Sequence, residues 1–197
     1  TAPSTENIIE LGIDPFGRSS PLWKMVANIT TPNSHDGGWL TAQFDVAASK
    51  TYRFVVYVKR DTLDGTTYHS LFSNGSANAV TLAGADINYP YFYVGYPPLT
   101  GRWYMIVGYV HTSDTTITAS IGGVYDMVTG KKVSACTDFK WKPGTTKAQH
   151  RAFYFSCTTA GSTQYFWGPR VELCDGSEAP LEQLLSGVAS DYQIVQM

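Results

Sequence analysis

Charged side chains are scarce in this 197-residue chain, at 15% of residues against roughly 25% in an average soluble protein. Their formal sum is only −2, and no extended run of Lys or Arg occurs. Nucleic acid is therefore excluded as a partner, because binding it needs a basic footprint. Long hydrophobic runs are missing too. The longest, such as Phe54 to Val58, are strand-length and far short of the roughly 20 residues of a membrane span, so no membrane insertion is expected. Residues Thr1 to Glu10 show no charged n-region followed by an apolar h-region, and no signal peptide is expected there. Cysteine is rare: Cys136, Cys157 and Cys174 are odd in number and form no C-x-x-C pair. A chain this long buries roughly 70% of its unfolded surface and needs no cross-link. Cys157 alternates with Phe153 and Phe155 and reads as a core position; one disulfide plus a free thiol stays open.

Aromatics are abundant instead, at 14%, with 13 Tyr, 9 Phe and 5 Trp. Tyr lies flat on a sheet with one end wet, which suits strands and binding surfaces alike. Period-two segments recur along the chain. In Lys50–Arg60, Tyr52, Phe54, Val56 and Val58 share one face. Further segments run over Arg102–His111, Ala148–Cys157 and Thr163–Leu173, the last interrupted by Gly168-Pro169, where a central ladder could not run unbroken. Shorter candidates are Asn7–Leu11, Trp23–Asn28, Trp39–Val46, Thr67–Ser73, Tyr91–Tyr96 and Thr116–Tyr125. Turn residues lie between them, including Asp64-Gly65 and Asn74-Gly75, which favour hairpins.

This pattern predicts one all-β domain over 1–197, a jelly-roll sandwich of two antiparallel sheets. One helix is predicted at 177–187, with Ser177 as N-cap, Leu181, Leu184 and Leu185 on one face and Gly187 as the stop. It is expected across one end of the sandwich, with the polar tail 188–197 packed on or near it.

Motifs for chemistry are sparse. His35, His69, His111 and His150 are scattered, and no G-x-S-x-G is present. The carboxylates that a glycosidase would pair, among Glu10, Asp14, Asp36, Asp45, Asp126, Asp138, Glu172 and Asp175, mostly sit beside turn residues, where capping is the plainer role. There is no H-E-x-x-H, no Cys/His cluster and no EF-hand loop. The expectation is no catalytic residue and no cofactor, with the metal question open: Glu10, Asp14, Asp36 and Asp45 are oxygen donors compatible with a structural Ca²⁺.

The stretch Asn88–Pro98 holds four tyrosines within eight residues. Strict alternation would place Tyr89, Tyr91 and Tyr93 on one exposed face and Phe92 and Val94 inside. Tyr96 lies nearby, and Trp141, between two lysines, reads as an exposed loop aromatic. Trp23 and Trp103 sit in apolar registers and read as core. Arg151 and Arg170 fall in segments that could form a hairpin over Thr158 to Thr163, and either could fork onto a carboxylate of the protein or of an acidic sugar. The candidate ligand-binding residues are thus Tyr89, Tyr91, Tyr93, Tyr96, Trp141 and Arg151.

Several segments resemble carbohydrate-binding-module jelly rolls: Asn7-Ile-Ile-Glu-Leu-Gly, Gly38-Trp39 leading into Phe44–Lys59, the strand beginning Arg102-Trp103, and the closing Tyr165–Leu173. The family's usual closing Asp pair, which helps hold Ca²⁺, is replaced here by Gly168-Pro169, so that metal site is not carried over. Gly123–Gly130 and the Phe-Trp-Gly-Pro-Arg run are also similar to domains at the ends of bacteriophage tail fibres and virion adhesins. The resemblance implies a non-catalytic glycan-binding or receptor-binding domain, extracellular or on a virion surface, whose partner is a carbohydrate or cell-surface glycan. It is compatible with a homo-oligomer, a trimer in a fibre. Two alternatives are a structural fibre or virion assembly domain, and a polysaccharide lyase or hydrolase on the same fold.

Overall fold

The computed structural model describes residues 6–28, 35–72 and 78–187. Its strands are β1 (Asn7–Ile13), β2 (Ser19–Val26), β3 (His35–Leu40), β4 (Phe44–Asp45), β5 (Thr51–Arg60), β6 (Thr66–Phe72), β7 (Ala79–Thr81), β8 (Tyr91–Gly95), β9 (Trp103–His111), β10 (Gly123–Asp126), β11 (Lys132–Ala135), β12 (Phe139–Trp141), β13 (Lys147–Phe155) and β14 (Thr163–Cys174), followed by helix α1 (Leu181–Ser186). The larger sheet runs β1-β2-β14-β5-β9-β10-β11, with β12 attached to β9 and β7 to β12. The smaller runs β3-β13-β6-β8, with β4 on β13. Pairings are antiparallel, except that β12 lies parallel to β9. Two sheets face to face make a jelly-roll-type sandwich, as the period-two pattern requires.

The core lies between the sheets. Val56, Val58, Ile106 and Phe166 of the larger sheet meet Tyr93, Ala152 and Tyr154 of the smaller. Alongside them, Phe54, Val110, Phe139 and Trp141 meet Leu71, Phe92 and Ala148. A further apolar cluster sits on the far side of the larger sheet, where Val55, Tyr57, Trp103, Met105 and Tyr165 are covered by Ala179 and Leu184. β5 is therefore buried on both faces, which is why Phe54 through Val58 form an unbroken apolar run.

Helix α1 supplies that cover, so it lies on the outer face of the larger sheet and not across one end. It starts after Pro180, with no side-chain cap, and stops at Gly187, whose φ of 67° suits glycine. Ser177 is instead engaged by Asp175, which accepts from its amide and hydroxyl at 3.1 and 2.6 Å. Tyr57 Oη donates to the Leu184 carbonyl at 2.7 Å, and Arg53 donates to the Ala179 carbonyl while pairing with Glu172 at 2.8 Å. These bonds satisfy polar groups that would otherwise be costly to bury. The tail 188–197 lies outside the described residues.

The β14 ladder is interrupted at Gly168-Pro169, as expected: a bulge between Trp167 and Arg170 absorbs the proline where pairing with β2 has already stopped, and the strand continues beyond it. Two connections differ from the expectation. β13 and β14 belong to different sheets, so Arg151 and Arg170 do not share a hairpin. Asp64-Gly65 also links two sheets, and the Asp64 carboxylate ties down the 158–162 loop through Thr158, Thr159 and Ser162. Asn74-Gly75 lies outside the described residues. Among the described strands β1 is an edge strand paired only with β2, and its Ile9, Leu11 and Ile13 are 59, 76 and 59% exposed.

Candidate functional site

The outer face of the smaller sheet is built by alternation along β13 and β6. Ala148, His150, Ala152 and Tyr154 point into the core, so Gln149, Arg151, Phe153 and Phe155 point out. In β6, His69 and Leu71 point in, and Tyr68 and Phe72 line the outer face with Ser70 between them. Phe153 and Phe155 thus lie opposite to the core side that the Cys157 register suggested. Cys157 turns back after the strand, where Ser156 takes φ 61°, and packs on the core with its thiol pushed up to about 12 by burial. All three cysteines are free.

The tyrosine stretch adds the neighbouring strand, but its alternation breaks. Between β6 and β8, His69 pairs with Tyr93 and the adjacent Ser70 with Tyr91, so Phe92 is an extra residue in a bulge. Tyr91 therefore points out, whereas Phe92 and Tyr93 both point in, at 1 and 7% exposure, and Val94 returns to the surface. Burial pushes the Tyr93 hydroxyl up to about 12.

What results is a contiguous aromatic surface. Tyr68 stacks on Phe153 with centroids 4.5 Å apart and meets Tyr91 edge-on at 5.1 Å and Phe155 at 6.1 Å. Tyr89, 65% exposed, stacks parallel to Tyr91 at 5.8 Å. The Arg151 guanidinium lies over Phe153 at 4.0 Å and Phe72 at 5.4 Å. Arg151, Ser70 and Tyr91 form one row across three strands, with the small Ser70 buried beneath its larger neighbours. Burial raises the Tyr91 pKa, opposed by the nearby Arg151 charge, and burial lowers that of Arg151.

The surface leads into a polar cleft. Phe72 and Gln149 border it, and Gln43, Asn78, Lys142, Thr145 and Lys147 line the rest of a hollow of about 440 Å³. Its amides are fixed by backbone contacts: Asn78 donates to the Lys147 carbonyl at 2.8 Å, and Gln149 to that of Thr41 at 2.8 Å.

Of the residues expected from sequence, Tyr89, Tyr91 and Arg151 come together here. Tyr93 does not, for the reason given. Trp141 is fully buried: it belongs to β12, donates to the Lys50 carbonyl at 3.0 Å and packs edge-on against Tyr52. Tyr96 is exposed but leans over Arg60 at 5.6 Å, with Thr66 donating to its hydroxyl. Trp23 packs against the core and Trp103 is buried, as their registers suggested. Tyr68, Phe153 and Phe155 were missed, and alternation of aromatics with Gln149 and Arg151 was the available signal.

The carboxylates have structural partners. Glu10 pairs with Lys24 at 3.2 Å, Asp45 with Lys147, Asp126 with Arg102 at 2.8 Å and Glu172 with Arg53. Asp14 caps the turn to Arg18, Asp36 accepts from the Cys157 amide at 2.9 Å, and Asp138 accepts from Ile121, Gly122 and Tyr109 amides. His111 faces Asp138 at 3.4 Å, while His69 and His150 share an Nε2···Nε2 hydrogen bond of 2.7 Å between the sheets. Among the described residues, no three His, Cys, Asp or Glu side chains converge as a metal cage.

No protein-family model and no curated protein matches the chain. Among solved structures it is similar to a CBM4 structure, at 12% identity and a TM-score of 0.41, covering 78% of this chain and 82% of that one. It is also similar to a mutant of the alginate lyase Aly36B in complex with an alginate trisaccharide (12%, TM-score 0.44, 77% and 81%). A third is the binding domain of botulinum neurotoxin serotype G (11%, TM-score 0.44, 95% and 45%). These are distant likenesses, and no role for this chain is drawn from them.

Proposed function

We propose that this chain is a non-catalytic glycan-binding domain whose ligand lies along the outer face of the smaller sheet. One observation carries the reading: the partly exposed rings of Tyr68, Tyr89, Tyr91 and Phe155, packed on the buried Phe153, form one continuous surface with a guanidinium and a cleft lined by amides and hydroxyls. Sugar rings present apolar C–H faces ringed by hydroxyls, so flat aromatics beside planar hydrogen-bonding groups are complementary to them. The structural engagement of the carboxylates supports binding without chemistry. Display on a virion fibre or adhesin, with weak sites made effective by multivalency, rests on the resemblance of Gly123–Gly130 and of the Phe166–Arg170 run alone.

The test is a glycan array followed by calorimetry on the best ligand. Tyr91→Ala and Tyr68→Ala should each weaken binding more than tenfold, as anchoring aromatics do on truncation. Wild-type affinity in both variants would overturn the assignment of this face. A second reading, an assembly domain, is favoured by one feature, the exposed apolar edge of β1. Light scattering on wild type and Leu11→Lys checks it: a self-association lost in the variant supports that reading.

A further inference from the structure

We infer that the ligand of this face is a polyanion, a carboxylate-bearing polysaccharide of the polyuronate type; this deepens the reading of the face as a glycan site and rests on it. The chain is slightly acidic overall, yet the cleft is lined by Lys142 and Lys147 and by no Asp or Glu. Arg151 stands on the same face of β13 as Lys147, with Gln149 between them. Four residues of strand separate the Cα atoms of the two cationic residues by about 14 Å. Side chains rooted that far apart along one face suit a chain that carries carboxylates at intervals better than a single acidic sugar.

The existing partners of the lysines do not stand in the way. Lys147 pairs with Asp45 and Lys142 with Asp86, whose side chains are 85 and 81% exposed. Exposed pairs of this kind contribute little to stability, so either lysine can exchange its partner for a ligand carboxylate. Arg151 is held differently. Its guanidinium lies flat over Phe153 at 4.0 Å, half-buried beside Tyr91. A planar cation with part of its hydration removed gains more from a carboxylate than an exposed one does, and its fork geometry matches both carboxylate oxygens. Stacking on Tyr68 and Tyr91 would then hold the ring faces while Arg151 and Lys147 hold the acid groups.

The experiment uses the whole chain and three polymers, polygalacturonate, polymannuronate and hyaluronate, each beside its carboxyl-reduced form, in affinity electrophoresis and calorimetry at 20 and 300 mM NaCl. The variants are Arg151→Gln, Lys147→Gln and Tyr91→Ala, with folding checked by circular dichroism. At least one acidic polymer should bind, losing more than tenfold on carboxyl reduction, in Arg151→Gln and at high salt, and a smaller factor in Lys147→Gln. Tyr91→Ala should weaken it as well. Equal binding of the acidic and reduced forms, or no effect of either charge substitution, overturns the polyanion inference and leaves glycan binding standing. Binding of none of the six, with neutral glycans bound on the array, overturns the inference alone. No glycan binding anywhere overturns both.

Discussion

The two outer faces of the sandwich are both aromatic, and the chain treats them differently. On the larger sheet, Tyr57, Trp103, Tyr165 and Trp167 are roofed by Phe16, Ala179 and Leu184, and the polar groups beneath are bonded to the roof. On the smaller sheet, Tyr68, Tyr89, Tyr91 and Phe155 stack on one another, and Tyr89 stands 65% exposed. Aromatic content alone therefore marks no site. What separates a core from a platform, among the described residues, is whether another segment packs over the rings.

Substitutions should break this comparison in opposite directions. The largest effect is expected under the roof. Trp103→Ala, which removes a buried ring and its bond to the Ile13 carbonyl at 3.1 Å, should cost about 3–5 kcal/mol. At roughly 2–4 °C per kcal/mol for a domain of this size, the melting temperature should fall by about 6–20 °C, with glycan affinity of the folded protein unchanged. Tyr91→Ala should do the reverse, losing about 1 kcal/mol of stability while binding collapses.

Acid should sharpen the contrast next. His69 and His150 lie under the open face, on β6 and β13, and burial holds both in the neutral form, with His69 lowered to about 3. A depressed folded pKa means that the unfolded chain takes up protons first. Stability is then fully present above about pH 6.5 and is lost as the pH falls toward 3, by up to about 1.4 kcal/mol per pH unit per histidine. Denaturant unfolding between pH 7 and pH 5 should show this slope, and His69→Gln should make it shallower. A flat profile in wild type would mean that the pair is not buried as described. The smallest effect belongs to the cysteines: with all three free, melting curves with and without reductant should coincide within about 2 °C.

Much of this fold was legible because strands with one or two buried faces leave a period-two trace. The Lys50–Arg60, Arg102–His111 and Ala148–Cys157 segments correspond to β5, β9 and β13 within two residues at either end. β7, β11 and β12 were missed, being too short for periodicity to rise above chance. The candidate site was legible only in part. Tyr89, Tyr91 and Arg151 were found, but the bulge at Phe92 inverted the facing of everything after it, and no residue there announces a bulge. Trp141 misled because its flanking lysines describe the neighbours' exposure and not its own. Phe153 and Phe155 misled for the reason the two outer faces teach: alternation separates one face from the other without saying which is inside.

The position of β14 also bears on how the chain reaches this state. β14 lies in the middle of the larger sheet, pairing with β2 on one side and with β5 on the other, Cys174 opposite Thr51 and Gln164 opposite Arg60. Its partners are more than a hundred residues earlier, and β13 likewise closes on β3 across a similar span. Synthesis therefore delivers this central strand after every other described strand, while the strands that will flank it have waited without that neighbour. Such long-range pairing slows folding and leaves apolar edges open to other chains in the meantime. Yield in a heterologous host should consequently respond more to temperature and chaperone supply than to surface substitutions, and truncation before residue 163, which removes β14, should give aggregates.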